Sequence, residues 1–171
     1  AERIHPADLF FPDLARAVEL PAAADAVPDT APDYAACRQR FERALLPYLK
    51  SADPAQQREH AAALTDAVAA VAAVQQEAKP RAFWLALQAF AELVAGGDIA
   101  ASVQVKQLFG MINLQLRRLS QGNAAQPDAM LRDALFFIAV AGPDSGSPTA
   151  RALHAAFALD GLAPPDYDSR R

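Results

Sequence analysis

The sequence predicts an all-α protein: an up-and-down bundle of four to six helices with a proline-rich N-terminal arm packed on it. Three observations carry this. The chain is 53% hydrophobic and much of that is alanine, the best intrinsic helix former and a residue depleted in strands. Apolar residues recur at three- and four-residue steps over long stretches. Alternating runs of Val, Ile and Thr, which a sheet would need, are absent. At 171 residues a single core is the default, and no internal repeat or second domain is visible.

Residues 1–32 form the arm. Pro6, Pro12, Pro21, Pro28 and Pro32 keep it mostly extended, because proline has no N–H and restricts the residue before it. One short helix is expected near Asp8–Leu14. Leu9, Phe10, Phe11 and Leu14 are too apolar for a free linker and are expected to dock on the bundle.

The bundle spans residues 33–160. Tyr34, Cys37, Phe41, Leu45 and Tyr48 form the stripe of a first helix running to about Lys50. Asp53–Pro54 is a cap followed by a first-turn proline, and it starts a second helix striped with Leu64, Val68 and Val71. Pro80 is expected to open the third, whose Trp84, Leu87, Phe90 and Val94 face one way until Gly96–Gly97 stops it. The fourth runs from about Ser102 to Gln121, with Val105, Leu108, Ile112, Leu116 and Leu119 on one face. Phe109, Met111 and Leu114 widen that arc, which predicts a central position for this helix. Pro127 opens a fifth, with Met130, Leu131, Leu135 and Ile138 inward and Gly142 as its stop. Ser147–Pro148 caps a short sixth in which Leu153 and Phe157 pack. Residues 161–171 read as a frayed polar tail.

Composition narrows the function classes. A formal net charge of −4 disfavours nucleic-acid binding, which needs a basic surface. No stretch predicts membrane insertion: Asp66 interrupts one candidate, and Gln88 with Glu92 another. Charges and prolines stand where a signal peptide would be apolar. A lone cysteine, Cys37, fits the reducing cytoplasm. The start at Ala1 and the polar end Asp166–Arg171 read as a fragment of a longer protein.

Chemistry is hard to find. His5, His60, His154 and Cys37 lack metal-ligand spacing, so neither metal nor cofactor is expected. The serines fall at helix ends and in loops, where capping explains them. Gly96–Gly97 lacks the lysine and hydroxyl of a phosphate loop. A phosphotransfer histidine needs a nearby lysine against phosphoryl charge and a glycine for clearance, usually as HxxKG. After His60 stand Ala63 and Leu64, and after His154 stand Phe157 and Ala158. His60 is the one candidate phosphoacceptor, set against a half-buried packing role one turn before Leu64. No catalytic residue is assigned.

Candidate partner-binding residues are Phe83, Trp84, Arg117 and Arg118. Phe83 and Trp84 are adjacent on a helix and cannot both face one neighbour, so one is expected in the core and the other toward the arm or a partner. Arg117 and Arg118 suit the negative end of the fourth helix, with Asp128 or Asp133 as expected ion-pair partners.

Several segments together resemble one family: Arg81–Ala82–Phe83–Trp84, Val105–Lys106–Gln107–Leu108, Ile112–Leu119, Leu131–Phe137, His5–Phe10 with Pro12–Leu14, and Phe157–Asp160. Taken in their order along the chain, they are similar to the phosphotransfer-like helical region near the N-terminus of the chemotaxis-type hybrid histidine kinases of type IV pili (the PilL/ChpA type). The scaffold protein FimL is similar too. The resemblance implies a helical domain in the cytoplasm or at the cell pole, in twitching-motility signalling, with any kinase core elsewhere in the parent chain. The missing HxxKG makes it a degenerate, non-catalytic interaction domain. Its implied partners are response regulators, polar landmark or scaffold proteins, or another copy of itself. The alternatives are an active phosphotransfer domain with an unusual histidine, and a small-ligand sensor with a pocket near Trp84 and Phe109.

Overall fold

A computed structural model describes residues 10–20 and 33–162. After a 3-10 helix, Leu14–Glu19, come six α-helices: α1 Tyr34–Lys50, α2 Pro54–Ala72, α3 Ala78–Ala95, α4 Val103–Ser120, α5 Asp128–Ala141 and α6 Pro148–Ala156. There is no strand among the described residues, so the protein is the helical bundle its sequence predicts.

Local chemistry sets most of the helix ends. Asp33 accepts a hydrogen bond from the Ala36 amide at 3.0 Å, and Ser102 accepts one from Val105 at 3.2 Å. Each satisfies an amide that the first turn leaves without an intrahelical partner. Asp53 caps α2, with Pro54 in its first turn. Gly142 ends α5 with φ 87°, a left-handed conformation that glycine adopts without strain. α3 departs from expectation. It begins at Ala78, so Pro80 lies inside the first turn rather than opening it. A proline is tolerated there because the first amides of a helix have no carbonyl to bond.

The helices form a ring in which α1 packs on α2, α2 on α3, α3 on α5, α5 on α4 and α4 back on α1. α6 and the 3-10 helix cover α3. The central helix is therefore α3, not α4. Ala82, Ala86, Ala89 and Ala91 are buried along with its large side chains, so α3 is enclosed on nearly every side. On α4, by contrast, Met111 and Leu114 are exposed.

Aromatic rings run through the middle of the ring of helices. Phe109 lies 5.0 Å from Tyr48 and 4.9 Å from Phe90, Phe90 lies 5.3 Å from Phe137, and Phe137 lies 5.4 Å from Phe136. Phe10 extends this file into the arm, 5.8 Å from Phe136 and edge-on to it. Such contacts add roughly 0.5–1.5 kcal/mol each to the burial of the rings.

The arm docks through fewer residues than its apolarity suggests. Phe10 and Ala17 are buried and Leu14 packs on the core, but Phe11 is 76% exposed. Residues 10–13 are not helical; the short helix lies just beyond them, at Leu14–Glu19. Pro12 biases Phe11 away from helical geometry, and Asp13 caps the turn that follows by accepting from Ala15 at 3.1 Å. Leu9, Asp8 and the 163–171 part of the tail lie outside the described residues.

Candidate interaction surface

The outward face of the α1–α4 pair carries the most organised polar cluster. Glu42 on α1 accepts from Arg38 one turn earlier and from Arg117 on α4, both at 3.2 Å and both to Oε1. Burial pulls the Glu42 carboxyl upward, but the Arg117 hydrogen bond and the Arg38 charge together hold it below its ordinary value. Arg117 thus finds its partner on α1, not in Asp128 or Asp133. Glu42 at the middle of α1 meets Arg117 late in α4, while Tyr48 late in α1 meets Phe109 in the first half of α4, so the two helices run antiparallel. Arg118 is exposed and takes part in no ion pair among the described residues.

Phe83 and Trp84 are elsewhere. Each is only 2% exposed, and their rings meet edge-on at 5.3 Å. Phe83 lines a hollow of about 420 Å³ with Leu14, Ala15 and Ala17 of the arm, so it faces the arm. Neither ring is available to a partner in this fold.

The histidines are separated. His60 is half-buried on α2, with Leu64 buried one turn on. His154 is buried on α6, its Nε2 3.9 Å from the exposed carboxylate of Asp160. His5 lies outside the described residues. No group of three His, Cys, Asp or Glu side chains converges on a metal-sized site among the described residues. Cys37 is buried on the α1 stripe.

Two buried polar groups carry more chemistry than the sequence suggests. Tyr48 is fully buried with its hydroxyl unpartnered, and burial pushes its phenol up to about 12. Gln115, buried on α4, donates its amide to the Ala125 carbonyl and so ties α4 to the α4–α5 connection. At the far side of the bundle, Ser147 caps α6 by accepting from Ala150 at 3.0 Å and donates to Glu92 on α3 at 2.9 Å. No helix among the described residues is long and apolar enough to cross a membrane.

Fold and surface together define a helical bundle domain with a buried aromatic centre and its charged contacts on an outer helix pair. A model of the second domain of the FimL scaffold protein matches residues 26–170, and the chain belongs to that family. No curated protein and no solved structure matches it.

Proposed function

We propose that this chain is a non-catalytic protein-interaction domain of a scaffold or chemotaxis-like kinase in type IV pilus signalling. The observation that carries this reading is its membership of the FimL scaffold second-domain family. The segments shared with PilL/ChpA-type kinases, without their HxxKG, support descent from a phosphotransfer-like bundle. The domain would hold its parent protein, in the cytoplasm or at the cell pole, against response regulators, polar landmark proteins or another scaffold. Arg118 and the exposed end of α4 are the candidate contacts, since Phe83 and Trp84 are inside.

The test pairs binding with motility. Calorimetric titration of the full-length parent against the pathway's response regulators and polar proteins should detect at least one complex, and deleting this domain should abolish it and impair twitching. Absence of any complex, with wild-type twitching after the deletion, overturns the reading. Incubation with the parent kinase and radiolabelled ATP addresses phosphotransfer: label on this domain that disappears in His60→Gln would also overturn it.

A further inference from the structure

We infer that the outer face of α4, together with the groove beside α5, is a docking seat for an acidic amphipathic helix of another protein. This rests on the scaffold reading and names the chemistry of a partner.

The seat is a stripe on one helix. Val103, Gln107, Gly110, Leu114 and Arg117 are all exposed and follow one another at steps of four, three, four and three residues. That is the spacing of a seam along which a second helix lies. At 1.5 Å per residue it runs about 21 Å, long enough for four turns of a partner. Met111, 46% exposed, flanks the stripe, and Leu114 within it is 39% exposed. Next to the stripe, where the ring of helices is most sparsely joined, a groove of about 380 Å³ opens between α4 and α5. Leu108, Met111 and the buried ring of Phe137 give it an apolar lining.

Gly110 stands at the middle of the stripe. Glycine in a helix interior costs stability relative to alanine, so its presence calls for a reason. Nothing among the described residues supplies one, because a Cβ built on Gly110 meets none of their atoms within 4 Å. A neighbouring helix backbone crossing closely at that point would use the clearance.

Charge selects the occupant. α4 contains no Asp or Glu, and it carries Lys106, Arg117 and Arg118 in a chain of net charge −4. Glu42 answers Arg117, whereas Lys106 and Arg118 have no ion pair among the described residues. The groove's own acid is Asp133, on the α5 wall. A second copy of this helix is a poor fit. Laid antiparallel, it would bring Arg117 and Arg118 to the partner's Lys106 and positive helix N-terminus; laid parallel, it would set arginine against arginine. A helix with apolar residues on one face and glutamates or aspartates beside them complements the seat in both respects. A lipid surface would meet the charges but has no use for the clearance at Gly110.

The probe is a fluorescein-labelled 21-residue peptide with leucines at alternating three- and four-residue steps and glutamates flanking them, titrated by anisotropy into the full-length protein. Saturable binding is expected, weakened at least tenfold by Arg118→Glu, by Gly110→Gln and by replacing the peptide's glutamates with glutamines. Hydrogen exchange should slow over residues 103–118 on binding. Unchanged circular dichroism melts establish that the variants fold, and Leu114→Asp provides a second disruption of the stripe. Several results overturn the inference: no binding, equal binding of the glutamine peptide, affinity indifferent to the variants, or binding only after residues 1–9 are removed. Binding of anionic phosphatidylglycerol vesicles in place of the peptide overturns it in favour of a membrane. Retention of every natural partner by Arg118→Glu and Leu114→Asp would remove this seat while leaving the scaffold reading intact. Lack of any partner for the wild-type protein would instead remove the scaffold reading.

Discussion

Arg117 on α4 reaches across to Glu42 on α1 at 3.2 Å, joining residues 75 positions apart in sequence. The pair is exposed enough for water to screen it, so Arg117→Ala or Glu42→Gln should cost no more than about 1 kcal/mol in urea unfolding at pH 7. Because the folded Glu42 carboxyl sits below its ordinary value, its contribution is present above the unfolded carboxylate's pKa and fades as pH falls through the folded one. The gap between wild type and Glu42→Gln should therefore narrow progressively in melts run at falling pH below the ordinary carboxylate range. A gap that does not change with pH means the cost comes from packing and not from charge.

Tyr48 presents the opposite sign. Its buried hydroxyl has no partner among the described residues, and an unpaired buried polar group is unfavourable, so Tyr48→Phe should be neutral or stabilising by about 1 kcal/mol at pH 7. The phenol is pushed up to about 12 in the fold. Stability from keeping it neutral is complete below the ordinary tyrosine value near 10 and is lost as pH rises toward 12. Thermal melts between pH 9 and 11.5 should show wild type falling more steeply than Tyr48→Phe.

Phe109 of α4 is the ring on which α1 and α3 converge, touching Tyr48 and Phe41 of the one and Phe90 of the other. Phe109→Ala should cost about 3–5 kcal/mol, and the exposed Met111→Ala two residues on should cost less than about 0.5 kcal/mol. Denaturant midpoints at constant slope check both. Comparable losses at the two positions would mean that α4 is buried differently from what is described above.

Ser147 serves two contacts with one hydroxyl, the α6 cap and the Glu92 bond on α3. Ser147→Ala should destabilise by about 1–2 kcal/mol, and Ser147→Asp should be worse, since it keeps a cap but places a second carboxylate beside Glu92. Thermal melts of the two variants rank them. The reverse order would show that the cap outweighs the interhelical bond.

The sequence foretold the elements better than their arrangement. α1 is legible nearly to its ends, because its pattern starts at Asp33 and the stripe from Cys37 to Tyr48 is unbroken. α4 reads as central since Phe109, Met111 and Leu114 widen its apolar arc, and periodicity cannot tell a buried methionine from an exposed one. α3 hides its centrality in alanines, which look alike whether they are enclosed or not. Arg117 could be marked as an ion-pair former from its place at a helix end, but not matched to Glu42, because that contact depends on α4 folding back beside α1. The stripe through Gly110 was in plain view as spacing and acquires meaning only once Val103 and Leu114 prove exposed.

Phe10 has a consequence for where this domain begins. The match to the FimL second-domain model starts at residue 26, yet Phe10 is buried against Phe136 and Ala17 is buried beside α3. The span that the family model matches is thus shorter than the unit that packs. A protein cut at the boundary of similarity would expose an aromatic socket on α5, and its solubility and self-association would then report on the cut and not on the biology of the domain.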